Sequence, residues 1–270
     1  MAKERQGIKP LVKHERAYME SVIQLLDSTV QAPALSALNN YDPTSFTSEI
    51  SAIKTRIAAD PTYGTREAEA AISRVETYQR EKFKRVLKTM SIQLHVFEGQ
   101  ADPIVRQAME AALSTNVGLI KDIALEHCGT LQDYVQAGIK ANPFDLHAQQ
   151  KGVQGFLEGA GFDKAKNRAR LITRDQNNKL VGSMNEARHR SVGGEEYRWS
   201  TSHDARVRSS HAHLDGKIFR WDSPPSEGHP GQAIQCRCVA KLIFREASEK
   251  SKPTEQISKE LEKPKLQFEK

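Results

Sequence analysis

The chain has 270 residues, 38 % of them hydrophobic and 6 % aromatic, with a formal net charge of +6. That apolar content cannot fill a uniform core over the whole length, so one compact domain with extended helices and a tail is expected. No run approaches the roughly 20 apolar residues that span a bilayer, and the start MAKERQGIKP lacks the apolar stretch of a secretion signal, so synthesis and retention in a cytosol are expected.

In chain order, Tyr18, Met19, Val22, Ile23, Leu25 and Leu26 predict a helix over 14–28. Pro33, Asn39, Asn40, Asp42 and Pro43 then predict a loop. Ile50, Ile53 and Ile57 place one face of a second helix over 45–59, ahead of the turn signal Asp60-Pro61. From Arg66 to Phe97 there is neither proline nor glycine. Ile72, Val75, Phe83, Val86, Leu87, Met90, Leu94 and Phe97 trace a stripe there, which predicts a long amphipathic helix. Such a stripe must be covered, either by docking on another chain or by an intramolecular helical hairpin. Met109, Leu113, Val117, Ile120 and Ile123 predict a helix over 102–126 that ends near Cys128-Gly129, and a separate one follows with Leu131, Tyr134, Val135 and Ile139, closing before Pro143. Residues 163–190 read as a helix with Ala165, Ala169, Ile172, Leu180, Met184 and Ala187 inward, stopped by Gly193-Gly194. Beyond it, Tyr197, Trp199, Val207, Ile218, Phe219, Trp221, Val239, Leu242 and Ile243 stand in short pieces among turn formers, a β composition. The final 25 residues are charged and poor in apolar side chains, so a disordered tail over 246–270 is expected. The fold class predicted is α+β: a helical N-terminal half, then a compact mixed domain whose short antiparallel strands pack on a helix.

Charge is uneven along the chain. Residues 163–245 hold 16 Lys and Arg against 9 Asp and Glu, which fits a surface facing nucleic acid or an acidic protein, or simply a solvated face. Nothing resembles a base-reading module.

Residues 197–240 concentrate polar chemistry: Asp204, Arg206, Arg208, His211, His213, Asp215, His229, Cys236 and Cys238. An unpaired buried charge costs several kcal/mol, so these groups are expected to satisfy one another in a buried network. If the segment is a strand, alternation puts Asp204, Arg206 and Arg208 on one side, and Cys236 with Cys238 on another. Leu214-Asp215-Gly216 reads as a tight turn with Gly216 at positive φ.

Cys128, Cys236 and Cys238 are an odd number, two of them one residue apart, which predicts buried thiols or metal ligands in a reducing compartment rather than a disulfide framework. A zinc site of His211 or His213, His229, Cys236 and Cys238 has a ligand set that tetrahedral zinc accepts. Against it, only Arg237 separates the cysteines, where two to four residues are usual, and a packed polar core with buried thiols is the competing reading. A metal-dependent nuclease is the enzymatic alternative. The sequence offers no acidic cluster for two metals, no Gly-rich phosphate cradle, no Gly-x-Ser-x-Gly elbow and no His-Glu-x-x-His pair, so a non-enzymatic protein is expected.

Three stretches, ITRDQNNKLVGSMNEAR (172–188), YRWSTSHDARVRSSHAHLDGKIF (197–219) and HPGQAIQCRCVA (229–240), resemble the phage Mu F-like family of head-morphogenesis proteins. The positions that carry the resemblance are Arg174, Asp175, Gln176, Trp199, Asp204, Arg206, Val207, Arg208, His211, Asp215, Gly216, His229, Pro230, Gly231, Cys236, Arg237 and Cys238. Departures are small: Thr173 stands where alanine is common, and Gln235 where asparagine often stands. The resemblance implies a head-morphogenesis domain over 101–245 with its motif core at 165–245; residues 1–100 carry no resemblance and are expected, from their helical stripes, to form a helical docking arm. It further implies a minor head protein of the virion, associated with the portal and other head proteins, present in few copies and close to genome DNA. A free, non-specific DNA-binding protein is the third reading.

Overall fold

The computed structural model describes residues 3–4, 7–89 and 103–244. The expected tail over 246–270 and the last stripe positions, Met90, Leu94 and Phe97, lie outside the described residues. The elements are β1 (Lys3–Glu4), α1 (Val12–Leu26), α2 (Ala32–Ala37), α3 (Pro43–Ala59), α4 (Thr65–Thr89), α5 (Pro103–Ala141), α6 (Leu146–Glu158), α7 (Ala160–Ser191), β2 (Glu196–Ser200), α8 (Ser209–Ala212), β3 (Ile218–Arg220) and β4 (Val239–Phe244). Helices with one small antiparallel sheet make the fold α+β. None of the described helices is long and apolar enough to cross a membrane.

Two compact units arise, each from segments that are discontinuous in sequence: Val12–Ser73 with Ala111–Gln176, and Met1–Leu11 with Arg74–Glu110 and Asn177–Lys270. The first is helical. Tyr18, Val22, Leu26, Val30, Ala34 and Leu38 recur every fourth residue and are all buried. A regular α-helix has 3.6 residues per turn, so a period of four drifts around it. The wider π-helical turn at Asp27–Gln31 takes up that drift and hands the stripe on to α2. Here the expectation of a loop after residue 28 fails, because Pro33 sits in the first turn of α2, where its missing N–H matters least.

Asp42 caps α3, its carboxylate accepting from the Ser45 amide at 2.8 Å, and Pro43 opens the helix. Phe46, Ile50, Ile53 and Ile57 enter the same core as the inner face of α5. The break expected near Cys128-Gly129 is absent, since α5 runs unbroken for 39 residues. Ile120, Ala124, Cys128, Leu131 and Val135 keep helical phase across Gly129 and are all buried. Their burial outweighs the roughly 1 kcal/mol that glycine costs in a helix. Helix α6, for which the sequence offered little apolar periodicity, is capped by the Asp145 carboxylate.

The second unit carries the sheet, in order β1-β4-β2-β3 with every pairing antiparallel. Central strand β2 is buried along its whole length, with Tyr197 opposite both Leu242 and Phe219. The α4 stripe is covered here by the chain itself: Phe83 and Leu87 pack with Ile8 and Leu242. Leu242 of β4, the segment at Ile8 and His189 of α7, which stacks on Phe83, thus cover this part of the stripe together. The later part of α7 holds the Glu76 carboxylate through Arg188 at 3.2 Å, and only 3 % of the Arg188 side chain is exposed. Gly193, at φ +73°, ends α7: its amide donates to the Arg190 carbonyl and that of Gly194 to the His189 carbonyl.

Candidate functional site

Residues 201–217 leave β2, turn through Asp204 to Val207, form the single helical turn α8 and return towards β3. Asp204, Arg206 and Arg208 are therefore not on a strand as alternation predicted, and all three are exposed. The partner of Asp204 is Arg237, whose guanidinium donates to both carboxylate oxygens at 2.6 Å. That fork, with the Arg206 amide donating at 3.0 Å, holds the Asp204 carboxyl down at about 2. The Arg206 guanidinium is 73 % exposed and 3.8 Å from Asp204. Arg208 reaches the other way and donates to the carbonyl of Ile234 at 2.6 Å. Asp204 and Arg208 together clamp the segment 234–237, and so fix the backbone that presents Cys236.

That backbone is constrained. Gln235 takes φ +57°, a left-handed conformation that asparagine adopts more readily than most side chains. His229-Pro230-Gly231 precedes it as a corner: Gly231 lies at φ +91°, and a Cβ there would meet the Asn178 carbonyl oxygen at 3.1 Å and the Gly182 Cα at 3.3 Å. Only glycine lets the loop approach α7 so closely in that conformation. The turn at Asp215-Gly216 is also real, with Gly216 at φ +77° and its amide donating to the Trp199 carbonyl. The Asp215 carboxylate accepts from the Thr201 amide at 2.7 Å, fastening the end of β2.

The histidines and cysteines divide. Burial pushes the Tyr197 hydroxyl up, and it shares a hydrogen bond of 2.9 Å with His229 Nδ1. His229 belongs to that aromatic cluster with Trp221 and does not join the cysteines. His213 is exposed, its Nδ1 2.7 Å from the Ser209 carbonyl. His211, Cys236 and Cys238 do converge: all three are buried, and their ligand atoms lie within 4.8 Å of one another. His211 Nδ1 is 3.6 Å from Cys236 Sγ and 3.5 Å from Cys238 Sγ. The contact between the two thiols lowers the pKa of Cys236 and raises that of Cys238. On the far side of the ring, His211 Nε2 faces the Glu227 carboxylate at 3.3 Å. The linear motif gave no sign of Glu227, because the chain path between 213 and 236 decides which acid meets the ring.

Arg174, Asp175 and Gln176 lie in the helical unit. Arg174 pairs with Glu15 at 2.8 Å, while Asp175 and Gln176 are buried and 3.4 Å apart. The rest of the motif, from Trp199 to Cys238, lies in the sheet-bearing unit.

An uncharacterized protein of Haemophilus influenzae is 37 % identical over 140 residues, a stretch covering 51 % of this chain and 30 % of that protein. No solved structure matches the chain. The family model described as Phage Mu protein F like protein matches residues 129–241, which run from within α5 into β4 and include every motif position named above. Segment 129–241 of this chain is therefore similar to the Phage Mu protein F like family.

Proposed function

We propose that the chain is a minor head protein of a phage, a structural part of the virion that docks on the portal and other head proteins and lies near packaged DNA. The observation that carries this reading is what the motif residues do. Asp204, Arg208, Gly216 and Gly231 each fasten one piece of backbone to another, and His211, Cys236 and Cys238 are buried rather than opened to a substrate cleft. Such a set supports a scaffold more than a nuclease, whose metal must reach a phosphodiester.

A free DNA-binding role is weakened by where the basic side chains go. Acids from outside the basic segment meet several of them: Glu126 faces Lys164 and Arg168, Glu15 pairs with Arg174, and Glu76 with Arg188. Proximity to DNA in the head requires no such free cationic face.

Co-expression with the portal protein of the same phage, followed by size-exclusion chromatography at moderate salt, tests the proposal. Co-elution is expected. Separate elution, with DNA affinity that falls steeply with salt as counterions are released, would contradict it in favour of a DNA-binding protein.

A further inference from the structure

We propose that His211 Nδ1, Cys236 Sγ and Cys238 Sγ form a zinc site, with Glu227 orienting the histidine ring through Nε2. The inference is independent of the head role.

Geometry carries it. Zinc holds thiolate sulfur at about 2.3 Å and imidazole nitrogen at about 2.0 to 2.1 Å, so tetrahedral angles give nitrogen–sulfur edges of about 3.5 to 3.6 Å. The two edges here are 3.6 and 3.5 Å. A pair of thiols bonded to the ring would explain one such distance, but Nδ1 has a single lone pair and faces both sulfurs. The surroundings of the ring agree, with a carboxylate within reach of Nε2, which has no aligned hydrogen-bond partner as it stands. A metal-bound histidine commonly donates its other N–H to a carboxylate, and Glu227 stands 3.3 Å from Nε2. Charge also balances: two thiolates neutralise one Zn²⁺, which suits ligands that are all buried. On binding, the protons held by the thiols leave to solvent. Three protein ligands leave the fourth position to water or an incoming ligand.

The short spacing Cys-x-Cys is accommodated because the two cysteines do not chelate from a tight turn. They lie on an extended segment just before β4 that Arg208 and Asp204 clamp from one side, while α8 supplies His211. The site would tie α8 to the segment that carries both cysteines, with Glu227 reaching it from the loop between β3 and β4.

The test uses the full chain, purified without a histidine tag from zinc-supplemented cells. Metal analysis should give close to one zinc per chain, and replacement by cobalt should produce the intense thiolate-to-cobalt charge-transfer absorption. Glu227→Gln should weaken zinc affinity by about 10- to 100-fold in competition with a chromophoric chelator, while the circular dichroism spectrum stays unchanged. Zinc far below one per chain together with a cobalt adduct lacking the charge-transfer band would overturn the site. Unaltered affinity in Glu227→Gln would overturn the assignment of Nδ1 as the ligand atom.

Discussion

Asp204 and Glu76 are both carboxylates gripped by an arginine, and their surroundings separate them. The Asp204 fork is in solvent, where water and salt compete for both partners. Glu76 meets an Arg188 side chain that is only 3 % exposed, so removing the acid takes an ion-pair partner away from a buried guanidinium. Glu76→Ala should therefore destabilise the protein by about 3 to 5 kcal/mol, whereas Asp204→Ala should shift denaturant unfolding little; equal effects would refute the distinction. The sequence showed Asp204 as a participant but placed it beside Arg206 and Arg208 in a buried network. Its actual partner is Arg237, and no local spacing encodes a pairing across 33 residues. His189 is a second residue that composition could not identify. Phe83 and Trp221 pack around its ring, and burial holds it down to about 3, so it is neutral in the folded state. The unfolded chain takes up its proton near pH 6.5, so the stabilisation is complete above that value and is lost as pH falls towards 3. His127, held down to about 4 by burial, acts in the same direction. Melting temperature should fall between pH 6.5 and 4, and His189→Phe should flatten that slope without abolishing it; an unchanged slope would contradict the assignment.

At the scale of elements, periodicity was the legible signal. The inward positions of α7, from Ala165 to Ala187, are all buried, and its stop at Gly193-Gly194 falls where the glycines stand. Punctuation was the unreliable one. Pro33 and Gly129 read as ends, yet apolar stripes in phase on both sides carry the helices through them. The two-residue strand β1 leaves no pattern to read, because it exists only through its pairing with β4. The same reasoning identifies spare stability in α5. A Cβ added at Gly118 or Gly138 meets nothing within 4 Å, so Gly118→Ala and Gly138→Ala should each stabilise the protein by about 0.5 to 1 kcal/mol in thermal or denaturant unfolding. Loss of stability in either would mean that the helix is distorted there.

For the whole molecule, the linear count of charge was the most misleading quantity. The count for the basic segment 163–245 leaves out Glu15, Glu76 and Glu126, and folding brings each of them to an arginine or lysine of that segment, which lowers its cationic excess. The family was legible, because its residues cluster at turns, clamps and glycine corners whose order survives in one dimension. Which three of the four zinc candidates meet was not, since His229 goes to Tyr197 and His211 goes to the cysteines. The proposed role requires the chain to be built into the phage head as a scaffold. Quantitative mass spectrometry of density-purified virions tests this most directly. Peptides of this chain are expected in intact particles, at a few copies per portal; their absence from particles, with the protein abundant in the lysate, would contradict the proposed role.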